Sequence, residues 1–438
     1  MFTAISLLYK IFEQHPVVCT DTRDIRKDAI FFALKGSNFN GNTFAEQAIQ
    51  LGCAYVVVDE EKQVKDKRYL LVPNVLEALQ ALANYHRRML TIPVLAITGS
   101  NGKTTTKELT FAVLSKKYRV LATKGNLNNH IGVPLTLLSL NHQHELAVIE
   151  MGANHIGEIA DLCSIAEPDY GMITNIGHAH LEGFGGFEGV LKAKTELFKY
   201  LKNKNGLLFV NGDNELLVKS SSGARIETYG STNQANVQGA LVKTDPFIQL
   251  RWKRKESLKP LIEQPVLNMQ LPGNYNFENI LAAVCIGSHF GVDETTINEA
   301  LENYISSNSR SQLIEKGSYK ILMDAYNANP TSMKAAIENF DSMHWPDKVL
   351  ILGDMLELGG DTFREHQGIV DLIEEKGFTK VYLVGKNFKA AIHSVGAAEL
   401  FDSTEALCEY LKTQPLKKGS LLVKGSRQMR LEKVLEVL

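Results

Sequence analysis

The stretch LAITGSNGKTTTKEL, residues 95–109, decides the fold. It opens just after Pro93 as a short apolar run, VLAIT, rich in β-branched residues and too short for a helix. That pattern reads as a buried strand. The strand ends at Thr98, Gly99 and Gly102 permit a tight turn, and Lys103 begins a helix. The first N–H groups of such a helix point outward unpaired, and the helix dipole adds partial positive charge there. An anion, above all a phosphate, is the natural ligand. Gly99, Ser100, Asn101, Gly102, Lys103, Thr104 and Thr105 would wrap the phosphates of a nucleotide. Lys103 would reach the β- and γ-phosphates, and the Thr104 hydroxyl would sit on Mg²⁺. The spacing G-x-x-G-K-T is tighter than the general phosphate-loop pattern. A plain glycine-rich turn with a solvated lysine is the bland alternative. The strand before the turn, the helix after it and three consecutive threonines outweigh it.

Working outward, the same alternation of strand, loop and helix continues. LAVIEM (146–151), GMITNI (171–176) and GLLFV (206–210) are further strands, with helices near 157–164 and 187–202. That order predicts a parallel sheet with helices on both faces. Between about 225 and 270 the pattern turns to alternating polar strands such as FIQLRWKRK, read as an antiparallel excursion. PGNYNFENILAAVCIGSHF restarts a helix, with Asn276 as its expected N-cap. Upstream, VVCTD, AIFFAL, AYVVV and two helical patterns form a small α/β unit after an amphipathic first helix. Downstream, YKILMDAY, KVLILGD, KVYLVG and SLLVKGS, each followed by a helical pattern, form a third. The expected organisation is α/β in three domains. A small N-terminal unit spans 1–90, a central phosphate-loop parallel sheet 91–308 and a Rossmann-like C-terminal domain 309–438.

The 438 residues suit about three domains. A net charge of −2 implies no polybasic face for nucleic acid or an anionic membrane. Phosphates must therefore be held by a local site. Five dispersed cysteines, never in CxxC spacing, fit neither a disulfide framework nor a zinc knuckle and suit a reducing cytoplasm. No stretch reaches the ~20 apolar residues of a membrane span.

Glu150 ends one predicted strand, and His178 and His180 follow another, at the sheet edge where α/β proteins place ligands. A carboxylate beside a threonine hydroxyl and triphosphate oxygens makes a hard-cation site suited to Mg²⁺. Alternate spacing would put both histidines on one side. Lys194 lies on a predicted helix, where nothing distinguishes it from Lys192.

The loop GSNGKTTTK resembles that of the Mur ligases, whose relatives include folylpolyglutamate synthetase. So do KGNLNNHIGVP (124–134), IEMGANHIGEI (149–159), TNIGHAHLEGFG (174–185), KAKTELF (192–198) and LPGNYNFENILAA (271–283). MDAYNANPTSMKAAI (323–337), LGDMLELG (352–359) and VKGSRQMRLE (423–432) complete a resemblance that spans the chain. The resemblance implies an ATP-dependent amide ligase of peptidoglycan precursor synthesis, working through an acyl phosphate. Lys103, Glu150, His180 and Lys194 would be catalytic, and Thr104, Glu150, His180 and a carbamylated Lys194 would hold two Mg²⁺. Carbamylation would turn a cation of pKa ~10.4 into an anionic oxygen ligand. Asn279 matches an adenine-side position, Arg310 one near the γ-phosphate and Asp324 one at the ribose. Thr22, Arg23, Lys35 and Asn42 resemble the part that grips the UDP end of the substrate. Tyr326, Asn327, Asn329 and Ser332 resemble the branch whose substrates are UDP-N-acetylmuramoyl-tripeptide and D-alanyl-D-alanine. The D-N-P-R tetrapeptide of the diaminopimelate-adding branch is absent. Loops around 353–359 and 424–427 are candidate dipeptide contacts. The enzyme is expected to be a cytoplasmic monomer. Rivals are another Mur or folylpolyglutamate synthetase-like ligase, a small-molecule phosphotransferase and a nucleotide-dependent switch.

Overall fold

A computed structural model describes residues 2–391, 398–416 and 418–438. Among them three main sheets follow one another along the chain, with a two-stranded hairpin at 35–40. The first is a parallel sheet of Val18–Cys19, Ile30–Phe32, Tyr55–Val58 and Tyr69–Leu71. The second has nine strands. Its parallel part runs Val237–Lys243, Arg225–Gly230, Leu207–Asn211, Tyr170–Ile173, Val94–Thr98, Leu146–Glu150, Val120–Ala122. The antiparallel excursion is confined to Val237–Lys243, Gln249–Arg254 and Leu267–Asn268. Arg225–Gly230, expected within it, pairs parallel with Leu207–Asn211. In the third sheet a hairpin of Gln312–Lys316 and Tyr319–Asp324 is followed by parallel strands Gly419–Lys424, Lys348–Gly353, Val381–Val384 and Ala398–Phe401.

Residues alternate in direction along a strand, and the central strand feeds two cores in that way. Val94 and Ala96 join the core under helices Gly132–Leu138, Glu158–Ala166 and Glu196–Asn203. Leu95 and Ile97 join the core under Lys103–Leu114 and Phe277–His289. All four are fully buried, and burying the Val94, Leu95 and Ile97 side chains is worth about 1.5–3 kcal/mol each. Both faces being covered explains why the sequence reads as an unbroken apolar run.

Helix Val75–Met89, capped by the Asn74 side chain, buries Leu79 and Leu82 and docks the first unit onto the second. At its end the Arg87 guanidinium donates to Ala166 O at 3.0 Å and to Asp169 at 2.9 Å. The helix expected over 187–202 is two helices, Phe187–Lys194 and Glu196–Asn203. Between them the Thr195 hydroxyl bonds back to Leu191 O at 2.8 Å, and such back-bonding bends helices. Glu196 accepts from Gly157 N at 2.7 Å and Ala160 N at 3.0 Å, which fixes the break against the next helix. Asn276 occupies the N-cap position of Phe277–His289 without capping it. Its side chain instead bonds Pro272 O at 2.8 Å and Ser311 Oγ at 3.3 Å.

Candidate active site

The parallel strands of the central sheet end at a polar cleft of about 750 Å³, closed on its far side by residues of the third sheet. Gly99 and Gly102 hold φ of +141° and +78°, a region open to glycine without steric cost. Any Cβ on Gly99 would lie 2.0 Å from the Thr174 hydroxyl, and one on Gly102 2.6 Å from Asn279 Oδ1. The loop between them is pinned from below. Asn101 N donates to Asn175 Oδ1 at 3.0 Å, and Ser100 N to Asn175 O at 3.0 Å.

The Thr104 hydroxyl donates to Glu150 Oε2 at 2.9 Å, and Asn128 Nδ2 donates to Glu150 Oε1 at 2.8 Å. Lys107 Nζ stands 4.0 Å from the same carboxylate. Lys103 Nζ folds back to Gly99 O at 2.6 Å and Ser100 O at 3.1 Å. Burial pushes the pKa of both lysines down, while Glu150 pulls it up. Positive charge in the cleft comes from Lys103, Arg310 and Lys424, set against the carboxylates of Glu150, Glu158, Asp161, Glu278 and Asp324. Lys103 and Arg310 mark the phosphate-loop end as the candidate anion site.

Arg310 lies 3.6 Å over the Tyr326 ring, a cation–π stack that presents the guanidinium to the cleft. Asp324 accepts from Ser311 N at 3.1 Å and Lys424 Nζ at 2.5 Å. Asn279 uses both ends of its amide. It accepts from Thr106 Oγ1 at 3.0 Å and donates to Asn276 Oδ1 at 2.9 Å. Asn329 and Ser332 form the capping box of helix Pro330–Ser342, and Asn329 Nδ2 also donates to Asn101 Oδ1 at 2.7 Å. The third unit therefore touches the phosphate loop itself. Ser100–Thr105, Glu150, His180, Asn279, Arg310, Asp324, Tyr326, Asn327, Asn329 and Ser332 all line this one cleft.

Lys194 is set just beneath it, 2% exposed, with Nζ 3.3 Å from Ala153 O and 5.2 Å from the Phe184 ring. Burial, with Lys103 as a second cause, brings its pKa down to about 7. His180 Nδ1 bonds the Glu357 carboxylate, and this holds Glu357 below the usual carboxylate range. His178 Nδ1 lies 3.9 Å from Glu365. Both histidines therefore meet carboxylates of the third unit. Among the described residues no three His, Cys, Asp or Glu side chains gather into a ready-made metal cluster. The adjacent Thr104 hydroxyl and Glu150 carboxylate do fit a hard cation.

The four N-terminal candidates do not line the cleft. Thr22 and Arg23 lie in a 3₁₀ turn, where the exposed Arg23 pairs with Asp21. Lys35 reaches Asp59 at 2.8 Å and Glu60 at 3.3 Å. Asn42, fully buried, donates to Asp59 Oδ1 at 2.8 Å and accepts from Asp59 N at 3.0 Å. Of the two loops singled out for the dipeptide, 424–427 contributes Lys424 to the cleft and 353–359 contributes nothing. Asp354 is occupied in capping Asn387 N and Phe388 N, both at 3.0 Å. Lys107 and Asn128 were not among the residues expected at the site. Lys107 had a signal: it is one helical turn beyond Lys103 and shares its face.

Fold and cleft define a phosphate-loop enzyme whose third α/β unit closes onto the loop. Three family models match in series: the Mur ligase family catalytic domain over 16–92, the Mur ligase middle domain over 97–287, and the Mur ligase glutamate ligase domain over 309–427. The chain belongs to the Mur ligase family. It is 37% identical over 433 residues to the UDP-N-acetylmuramoyl-tripeptide–D-alanyl-D-alanine ligase of Bacillus subtilis, covering 96% of this chain and 92% of that one. Among solved structures, MurF from Acinetobacter baumannii superposes with a TM-score of 0.86 at 29% identity, covering 96% and 92%. MurF ligase from Thermotoga maritima in complex with ADP does so at 0.84 and 27%, covering 96% of each.

Proposed function

We infer that the protein adds D-alanyl-D-alanine to UDP-N-acetylmuramoyl-tripeptide at the expense of ATP, as a ligase of peptidoglycan precursor synthesis. Likeness to ligases of that name over nearly the whole chain supports this reading. The observation that carries the chemistry is the Lys103–Thr104–Glu150 constellation at the start of helix Lys103–Leu114. ATP use is in keeping with the ADP complex of the Thermotoga relative.

In the reaction a terminal carboxylate oxygen of the tripeptide attacks the γ-phosphorus of ATP, giving an acyl phosphate and ADP. The amine of D-alanyl-D-alanine then attacks the acyl carbon and loses a proton. Phosphate leaves with the former carboxylate oxygen, and an amide remains. Both partners in the first step are anionic, so positioning and charge neutralisation are the protein's main work. Backbone N–H groups of 102–104 and the Lys103 ammonium would cradle the β- and γ-phosphates, and Arg310 would face the transferred phosphoryl group. Asn279 and Asp324 would bound the adenosine. Tyr326, Asn327, Asn329 and Ser332 would bound the incoming dipeptide, and Thr22, Arg23, Lys35 and Asn42 the uridine end.

Thr104 and Glu150 would hold one Mg²⁺, and Glu150, His180 and a carbamylated Lys194 a second. These ions would supply charge neutralisation at the phosphoryl oxygens. At pH 7 an amine of pKa about 7 is about half neutral. An ordinary lysine is neutral to less than about one part in a thousand. The neutral form is the one that takes up CO₂. One chain supplies the whole cleft, which suits a monomer, and five free cysteines suit a cytoplasmic enzyme.

The test is phosphate release from ATP, Mg²⁺ and UDP-N-acetylmuramoyl-tripeptide, with and without D-alanyl-D-alanine. Release that requires the dipeptide, with a product heavier by one dipeptide less water, establishes the reaction. Release that requires another amino acid moves the protein to a different ligase of the family. Release independent of any amine removes the ligase reading.

A further inference from the structure

His180 and Glu357 meet in an unusual way. Both are non-glycine residues with left-handed backbone, at φ +53° and +63°. Such conformations persist only where the surroundings impose them, and they gather at functional sites. Both lie where the second and third units meet. His180 begins the short helix Leu181–Phe184 of the second unit, and Glu357 lies in the loop after strand Lys348–Gly353 of the third. Their neighbours interlock too. Glu182 N points to Glu357 O at 3.5 Å, and a Cβ on Gly359 would lie 3.1 Å from Glu182 Cβ.

The pairing has a definite chemical consequence. An ionised carboxylate can only accept, so the proton of the His180–Glu357 bond sits on Nδ1. In the neutral ring with its proton on Nδ1, Nε2 is a bare acceptor. His180 lines the cleft and Glu357 does not. A histidine that ligates a metal is commonly oriented through its other nitrogen by a carboxylate in this way.

We propose that Glu357 is a positioning residue for His180, supplied by the third unit, which fixes the ring with Nε2 free only when that unit is docked on the second. The proposal rests on the reading of His180 as a cation-holding residue. It makes the second cation site conditional on domain closure. Cation binding is then completed only in the state that also brings Arg310 and Asn329 to the phosphate loop.

The experiment counts Mn²⁺ bound to the full-length protein in the presence of a non-hydrolysable ATP analogue and bicarbonate, by electron paramagnetic resonance. His180→Ala, Glu357→Ala and Glu357→Gln are compared with the unsubstituted chain. The expected result is one Mn²⁺ held normally in all four. The second is lost in His180→Ala, and weakened about 10–100-fold in Glu357→Ala. In Glu357→Gln, whose amide oxygen still accepts, the loss is smaller. Two normal sites in Glu357→Ala beside a lost one in His180→Ala overturn the positioning role and leave the cation reading of His180 standing. Two normal sites in His180→Ala overturn that reading and the proposal with it. Glu357 is half-exposed in a loop, and the retained first Mn²⁺ reports that each variant is folded.

Discussion

Replacing Lys194 with methionine removes a buried amine while keeping a flexible side chain of similar length. Its ammonium form is penalised mainly by burial and then by the charge on Lys103, which brings the pKa from 10.5 to about 7. At about 1.4 kcal/mol per pH unit, that penalty approaches about 5 kcal/mol. Its sign against pH follows from where the protons are. Below pH 7 the amine is charged in folded and unfolded chains alike, and the folded state bears the whole penalty. Between pH 7 and 10.5 the folded chain releases the proton while the unfolded chain keeps it, so stability rises with pH. Above 10.5 both are neutral and no penalty remains. Relative to Lys194→Met, the parent should therefore gain about 1.4 kcal/mol per pH unit between pH 7 and 10, with a constant gap below pH 7. Urea unfolding in CO₂-free buffer, followed by Trp252 fluorescence with Trp345 replaced by phenylalanine, reads the central unit. Parallel stability curves from pH 6 to 10 would refute the claim that Lys194 is held against its charged form.

With ¹³C-bicarbonate at pH 7–8, a carbamate carbon resonance is expected from the parent and not from Lys194→Met; a signal unchanged by the substitution would place the carbamate elsewhere. Gly102→Ala sets a Cβ 2.6 Å from Asn279 Oδ1 at a φ of +78°. A left-handed alanine costs about 1–2 kcal/mol before the clash is counted, so ADP affinity by calorimetry should fall at least about tenfold. Asn329→Ser keeps a helix-capping oxygen but loses the bond to Asn101. Its melting temperature should stay near the parent's while KM for ATP rises. Asn329→Ala should in addition lose about 0.5–2 kcal/mol of stability with the cap.

The sheet that carries the site was legible because Val94–Thr98 is buried on both faces and the following Gly–Lys turn has one conformational solution. Besides the hairpin at 35–40, the strands missed were Tyr69–Leu71, Val120–Ala122, Gln312–Lys316 and Ala398–Phe401. They are short, and the last three carry no buried residue, so no apolar period marks those three. Site residues carried by the phosphate-loop turn could be found from local physics. Lys194 could not, because its burial depends on the break at Thr195 and on Glu196 reaching another helix. Glu357 escaped notice for the same reason: its partner His180 is 177 residues away. Asn42, expected at the UDP end of the substrate, is a buried brace for Asp59, since an asparagine satisfied on both ends costs little to bury.

If the tripeptide carboxylate is phosphorylated before the amide forms, one of its oxygens leaves with the phosphate, and oxygen labelling reads that transfer. UDP-N-acetylmuramoyl-tripeptide labelled with ¹⁸O in its terminal carboxylate is turned over with ATP and D-alanyl-D-alanine, and the released phosphate is analysed by mass. An acyl phosphate predicts one ¹⁸O in each phosphate and the other retained in the amide carbonyl. Unlabelled phosphate beside a normal yield of amide would contradict it.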